Sequence, residues 1–296
     1  MSDKSTNWPG FTPFSLNLHG QLLECRRPQV MGIVNATPDS FYEGSHNVSC
    51  EEVAHRVSQM VAQGADIIDV GAYSSRPGAD DVTPQEEIRR LRMAMKALRD
   101  VAPDIPVSID TFRASVARAA VEEMGADIIN DISGGELDPE MFTTVADLKV
   151  PYIMMHMRGN PSTMTSLTDY GEHGVTGSVI NELWDRVHRL SHMGVADIII
   201  DPGFGFAKSV EQNYRLLDSL EALTEAFGRP LLAGMSRKSM IYRPLGLTPS
   251  DSLPGTITLH TVAMLKGAAI IRVHDVAEAV QSRDVLQLLS AKSIDK

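Results

Sequence analysis

The chain is short of cysteine, of positive charge and of long apolar runs, and each shortage removes a class of protein. Two cysteines in 296 residues, Cys25 and Cys50, cannot build a disulfide framework. Their spacing is not that of a zinc site either. Lys and Arg number 27 against 38 Asp and Glu, a formal net charge of −11. A nucleic-acid binder would carry a basic patch, so no nucleic-acid partner is expected. No apolar run approaches the ~18 residues of a membrane span. The opening residues, "MSDKSTNWPGF", lack the apolar stretch of a secretory signal. A cytoplasmic protein with no membrane partner is the expectation.

Several common catalytic motifs are also missing or broken. No G-x-S-x-G nucleophile elbow occurs. "GFGFAKS" at 203–209 fails as a phosphate loop because Ala207 stands where glycine should precede Lys208. It fails as a dinucleotide loop because Lys208 takes the third glycine position. His188 and His192 are four residues apart without the glutamate of a zinc-protease helix, and they are expected on a solvated helix face.

What the chain has is a repeat. "GADIIDVG" (64–71), "GADIIND" (125–131), "VADIIIDPG" (195–203) and "GAAIIRVHD" (267–275) each run from a small residue through a greasy stretch to a polar end. Four more β-rich runs share the character: "VMGIVNAT" (30–37), "PVSIDT" (106–111), "PYIMMHM" (151–157) and "PLLAGMS" (230–236). Near-continuous apolar runs suit parallel strands covered on both faces. They recur roughly every 34 residues, the scale of a βαβ unit.

Helical patterns lie between them. Thr83-Pro84-Gln85-Glu86 reads as a capping box with proline at the first turn, followed by an apolar face of Ile88, Leu91, Met95 and Leu98. Ser49 and Glu52 open another helix, with Val53, Val57 and Met60 on its buried side. Val179, Leu183, Val187 and Leu190 form a third stripe, and Leu216, Leu220, Leu223 and Phe227 a fourth. Gly64, Gly125, Gly194, Gly228 and Gly267 stand where helices should stop. Eight strand–helix units favour a closed (β/α)8 TIM barrel, a fold whose usual length this chain matches. "SLNLHGQLLECRRP" reads as an N-terminal β-hairpin turning at His19-Gly20 and closing the barrel bottom. One domain is expected, with residues 1–29 as tail and hairpin and 30–296 as the barrel.

In such barrels the C-terminal strand ends form the active site. Those ends carry Asn35, Asp69, Asp110, Asn130, His156, Asp201, Arg272 and His274, with Lys238 just beyond its strand. Asp110, Asp201, Asn130 and Lys238 together suit a planar heterocycle with an amino group, ring N–H groups and a carbonyl. An internal Asp–Lys salt bridge is the plainer alternative. Arg237, Lys238, Arg272 and His274 fall in the last two units, where barrels often bind phosphate. A surface pair of Arg272 with Asp275 is the alternative there. Asn35 offers an oxygen suited to Mg²⁺, which takes few protein ligands and completes its shell with water and phosphate. The loops after the first two strands, "NATPDSFYEGS" and "AYSSRPGADD", are candidate lids.

At these residues the chain resembles dihydropteroate synthase. "GIVNATPDSF", "GADIIDVGAYSSRPGA", "SIDT", "INDISGG", "MHMRGNPSTM", "DPGFGF", "SRKS" and "RVHD" stand in that family's order across roughly residues 30–275. The resemblance implies a transferase of folate biosynthesis. It joins 6-hydroxymethyl-7,8-dihydropterin pyrophosphate to 4-aminobenzoate, giving 7,8-dihydropteroate and pyrophosphate. It also implies a homodimer, Mg²⁺ as cofactor, and sulfonamides as aminobenzoate mimics. By resemblance the pterin meets Asp110, Asn130, Asp201 and Lys238, with Ile132, Met155, Phe206 and Gly234 as apolar wall or close backbone. Pyrophosphate meets Asn35, Arg272 and His274, with the metal at Asn35. Aminobenzoate meets Thr37, Pro38, Phe41, Ser75, Arg76 and Pro77, with Ser239 near its carboxylate.

The departures from the family pattern fall in the two loops and leave the pterin residues untouched. Glu43 stands where the family has aspartate. Tyr73 takes the place of a glutamate, and Ser75 that of a threonine. A methyltetrahydrofolate methyl-transfer domain would share the pterin cradle without needing the phosphate residues. A non-catalytic pterin-binding paralogue is the remaining alternative, and loss of a pterin or phosphate residue would mark it. None is lost.

Overall fold

The computed structural model describes residue 8 and residues 10–36, 50–73 and 82–290 of the chain. The first strands are β1 (Phe14–Leu18), β2 (Gln21–Cys25), β3 (Gln29–Asn35) and β4 (Ile67–Gly71). Six more follow: β5 (Val107–Asp110), β6 (Ile128–Asp131), β7 (Tyr152–Met155), β8 (Ile198–Asp201), β9 (Leu231–Ala233) and β10 (Ala268–Val273). The helices are α1 (Cys50–Ala62), α2 (Pro84–Val101), α3 (Ala114–Met124), α4 (Met141–Leu148) and α5 (Gly174–His192). After them come α6 (Val210–Asp218), α7 (Leu220–Phe227), α8 (Ser239–Tyr242), α9 (Leu253–Leu265) and α10 (Val276–Ser290).

Strands β3 to β10 close into an eight-stranded barrel, with β10 pairing β3 and every barrel pair parallel. All eight apolar runs read from the sequence are its strands. β4, β6, β7, β8 and β9 are buried along their whole length because the barrel interior covers one face and the helices the other.

The helices pack the apolar stripes that the sequence displays. Val53, Val57 and Met60 are buried on α1, and Val179, Leu183, Val187 and Leu190 on α5. The fourth stripe is broken: the backbone leaves helical geometry at Ser219, so Leu216 lies on α6 while Leu220, Leu223 and the half-buried Phe227 lie on α7. The capping box at α2 is only half made. Thr83 Oγ1 accepts from Glu86 N at 3.3 Å, but the Glu86 carboxylate turns to Arg89 and Arg90. A complete box forms at α6 instead, between Ser209 and Gln212. The start assigned to Ser49 lies outside the described residues.

The hairpin is β1 and β2, paired antiparallel across His19 and Gly20. Both turn residues have positive φ, 52° and 90°, the geometry of a tight two-residue hairpin turn. It docks on the bottom of the barrel. Asn17 N donates to Asp197 Oδ2 at 2.7 Å just before β8, His19 Nε2 lies 3.0 Å from Ala126 O just before β6, and Leu16 is buried in the main core.

The opening aspartates of the repeat serve this same end. Asp66 Oδ2 accepts from Val30 N and from Arg283, and Asp127 Oδ2 from Val107 N and from Arg99. Asp66 and Asp127 thus tie down the N-terminal ends of neighbouring strands, and Asp197 holds the hairpin near its turn. The first aspartate of the repeat therefore belongs to the stability face, and the polar group at its far end to the site.

Candidate active site

Strand register brings the polar ends together. Asn35 pairs with Gly71, Gly71 with Asp110 and Asp110 with Asn130, so three site residues lie in one row around the mouth. Alternation decides which side chains face inward. On β6 Asn130 points across the barrel, its Nδ2 3.3 Å from Asp69 Oδ2. The next residue, Asp131, faces outward and accepts from Ser133 N, Ser133 Oγ, Gly135 N and the Tyr152 hydroxyl. That buried carboxylate shapes the "ISGG" turn and is no part of the pocket.

Arg272 is the hub. Its Nε donates to Asp69 Oδ2 at 2.6 Å, and its Nη2 to Asp110 Oδ2 at 2.8 Å. Among the described residues Nη1 makes no hydrogen bond. Neither pairing considered as an alternative from the sequence is made: Asp275 pairs with Arg237 at 2.6 Å, and Lys238 makes no ion pair within 4 Å among the described residues. The two carboxylates hold the guanidinium above its ordinary value even though burial pulls the other way. Asp110 moves oppositely to what an ion pair alone would give. Burial pushes it up to about 7, Arg272 pulls it down, and Asp69, a second carboxylate on the same cation, pushes it up again.

Lys238 comes from the loop after β9. Its Nζ donates to Phe204 O and lies 4.6 Å from the Phe206 ring centroid. Burial pushes it down to about 8, against the attraction of Asp201. Asp201, at the end of β8, accepts from Gly203 N at 2.7 Å and is pushed up by burial. Gly234 lies beside both cations: a Cβ there would sit at ordinary contact distance, 4.0 Å from Lys238 Nζ and 3.9 Å from Arg272 Cβ.

A second apolar cluster, separate from the main core, flanks these groups. It contains Ile132, Met155, Met157, Met164 and Ala207, with Phe112, Leu137 and Phe206 half-buried against it. The three wall residues expected from the sequence, Ile132, Met155 and Phe206, thus share one surface. Phe112 extends it and carried no sequence signal. Tyr73 packs edge-on against Phe112 at 5.1 Å, and Arg113 lies over both rings.

His274 is partly buried beside Arg272. Ser236 Oγ accepts from His274 N at 3.1 Å and lies 2.9 Å from His274 Nδ1; in the tautomer with the ring hydrogen on Nε2, that hydroxyl donates to Nδ1. Burial, with Arg272 next, pushes His274 down to about 4, so near neutrality it is an uncharged donor. The His274 carbonyl is held by Arg56. Ser236 and Arg56 were not legible as support for this histidine.

Not every strand-end residue belongs to the pocket. His156 is fully buried, between Glu182 and Lys208. His188 and His192 are exposed on α5, as expected. Ser239 opens the short helix α8. Thr37, Pro38, Phe41, Glu43, Ser75, Arg76 and Pro77 lie outside the described residues. Among the described residues no group of three or more His, Cys, Asp or Glu could hold a metal ion. No helix among them is long and apolar enough to cross a membrane.

Comparison with known proteins agrees with the geometry. A family model described as "Pterin binding enzyme" matches residues 31–274. A dihydropteroate synthase of Synechocystis is 46% identical over 259 residues, covering 86% of this chain and 88% of that protein. The structure of a Xanthomonas albilineans dihydropteroate synthase with 4-aminobenzoic acid superposes with a TM-score of 0.86 at 38% identity, covering 95% of this chain and 99% of that one. A structure of the enzyme from the same organism, in complex with 7,8-dihydropteroate, gives 0.82 at 36% identity, covering 94% and 99%. The chain belongs to the dihydropteroate synthase family of pterin-binding enzymes.

Proposed function

We propose that the protein joins 6-hydroxymethyl-7,8-dihydropterin pyrophosphate to 4-aminobenzoate, releasing 7,8-dihydropteroate and pyrophosphate. The observation that carries this reading is the single mouth on which Asp110, Asn130, Asp201 and Lys238 converge beside the cluster of Ile132, Met155 and Phe206. A flat, polar-edged ring needs both an apolar face to lie on and donors and acceptors around its rim. Asp110 and Asp201 accept from the amino group and ring N–H groups, Asn130 can do either, and Lys238 donates to a ring acceptor. Gly234 leaves room for the ring edge.

The pyrophosphate is assigned to Arg272 and His274. Arg272 keeps Nη1 for phosphate oxygens while Asp69 and Asp110 fix its plane, and His274 donates from Nε2. Two such bonds to a charged group contribute ~1.5–3 kcal/mol each. Asn35, half-buried at the end of β3 in the same row as Asp110, fits Mg²⁺ by its donor type. A lone amide oxygen without a carboxylate cage suits an ion that keeps its waters and shares the substrate's phosphates. When bound, the metal would add positive charge to the leaving group.

In the reaction the bond between the exocyclic methylene carbon and the pyrophosphate oxygen breaks, and its electron pair leaves with pyrophosphate. Arg272 and His274 stabilise that developing charge. Asp110 and Asp201 favour the positive charge that spreads onto the dihydropterin ring. The aminobenzoate nitrogen attacks the methylene carbon and releases a proton. Aminobenzoate is assigned to Thr37, Pro38, Phe41, Ser75, Arg76 and Pro77, with Ser239 near its carboxylate.

The proposal includes a cytoplasmic homodimer in which residues 1–29 and 30–296 form one domain, and inhibition by sulfonamides as aminobenzoate mimics. A continuous assay for aminobenzoate-dependent release of pyrophosphate tests it. Pterin binding without release would favour the non-catalytic paralogue.

A further inference from the structure

The broken phosphate motif "GFGFAKS" has a use of its own. Lys208 is only 8% exposed, and its Nζ lies 3.0 Å from each of three acceptors: His156 Nδ1, Gly203 O and Phe206 O. That matches the three N–H groups of one ammonium. Because His156 accepts at Nδ1, its hydrogen is on Nε2, which donates to Glu182 Oε2 at 3.0 Å. Glu182 is held in turn by Arg158. Arg158 lies 3.9 Å over the Tyr170 ring, and the Tyr170 hydroxyl donates to Ala207 O at 3.0 Å.

The loop 203–207 is therefore fixed group by group. Lys208 takes the carbonyls of Gly203 and Phe206, Tyr170 that of Ala207 and Lys238 that of Phe204. Gly203 N goes to Asp201 and Gly205 N to Asn213. The backbone needs this support: Ala207 has φ 50°, and a Cβ on Gly203, at φ 69°, would lie 2.0 Å from His156 O. The same loop delivers two parts of the pocket, the Phe206 ring and the carbonyl that aims Lys238.

We propose that Lys208, oriented by His156, is a positioning residue for the pterin site: its ammonium moulds the 203–207 loop so that Phe206 and Lys238 stand where the ring binds. The inference rests on the pterin assignment above, but its binding measurement needs no turnover. The affinity of wild-type protein, K208M and Y170F for dihydropterin pyrophosphate is measured by calorimetry, with melting curves alongside. KM for each substrate is measured at saturation of the other. K208M is expected to raise the pterin Kd and KM at least tenfold while the aminobenzoate KM stays within twofold. Y170F, losing one bond to the loop, is expected to raise the pterin Kd two- to fivefold. Folded K208M with wild-type pterin affinity overturns the inference, as does a loss falling equally on both substrates. If K208M does not fold, Y170F decides, and an unchanged pterin Kd there overturns it. Failure of the wild-type protein to make dihydropteroate would count against the proposed function alone, because the binding comparison still judges Lys208.

Discussion

Arg272 and Asp110 meet across the barrel mouth, Nη2 to Oδ2 at 2.8 Å, while the same guanidinium holds Asp69. One cation thus serves two carboxylates, and it links the residues assigned to pterin with those assigned to pyrophosphate. Arg272→Ala is expected to do two kinds of damage. It removes a phosphate donor and leaves Asp69 and Asp110 repelling each other. kcat/KM should fall at least tenfold and Tm should drop. Arg272→Lys should recover stability better than rate, since a point charge cannot form the planar fork. Steady-state kinetics with melting curves check this, and near-wild-type turnover in R272A would remove its assigned role.

Lys238 reaches Phe204 O and the Phe206 ring but no carboxylate within 4 Å among the described residues. Lys238→Ala is expected to lower turnover at least tenfold and to weaken pterin binding. Equilibrium titration with the pterin substrate separates this from a folding defect, because a folded variant with unaltered affinity contradicts the assignment.

The pH profile follows from the same groups. Asp110, pushed up to about 7 chiefly by burial, must be ionised to accept two pterin N–H bonds. Lys238, pushed down to about 8 chiefly by burial, must be protonated to donate. Plotted against pH, kcat/KM for the pterin substrate should be a narrow bell, falling below about 7 and above about 8. Stability carries the opposite sign at Asp110. Its folded value lies above its ordinary 3.8, so the folded state binds more protons in between and loses stability as pH rises through that window. Asp110→Asn should flatten that slope. A rate profile level from pH 6 to 9 would refute both roles.

The bottom of the barrel should behave in the contrary way. Asp127 holds Val107 N at 2.8 Å and Arg99 at 3.0 Å, far from the mouth. Asp127→Ala is expected to cost about 1–3 kcal/mol, the penalty for leaving partly buried donors unpaired, with both KM values unchanged. Denaturant unfolding and kinetics on one preparation provide the check. A shifted KM would mean that the two faces are not independent.

Chelation provides a further separation. EDTA is expected to abolish turnover and excess Mg²⁺ to restore it, while melting of the substrate-free protein stays unchanged. Asn35 is assigned a single ligand oxygen, so little of the fold's stability should rest on the ion. Asn35→Ala should raise the Mg²⁺ concentration needed for half-maximal rate.

Much of this was legible because barrels separate their chemistry by strand position. The apolar runs gave the eight strands, and their polar ends gave Asp110, Asn130, Asp201 and Arg272. Period-two alternation even accounts for "IIND", where Asn130 enters the barrel and Asp131 leaves it. The opening aspartates were visible as a repeat, but their partners are backbone N–H groups of neighbouring strands, which no local pattern marks. His156 looked like a site residue because it sits at a strand end. It is buried because Lys208, fifty-two positions later, comes to meet it. The pairing of Arg272 with Asp69 spans 203 positions and depends on barrel closure. The Glu86 half of the expected capping box was lost to Arg89 and Arg90, which offer a carboxylate charged donors in place of a backbone amide. Residues 37–45 and 74–81 of the two lid sequences fall outside the described residues, so Glu43 and Ser75 are placed by resemblance alone.

Product formation tests the central claim most directly. Purified protein would be given 6-hydroxymethyl-7,8-dihydropterin pyrophosphate, 4-aminobenzoate and Mg²⁺, and 7,8-dihydropteroate followed by chromatography with and without EDTA. Metal-dependent dihydropteroate, equal in amount to the pyrophosphate released, is the expected result. Protein that binds the pterin substrate yet makes no dihydropteroate would contradict the enzymatic assignment and make this barrel a pterin-binding protein.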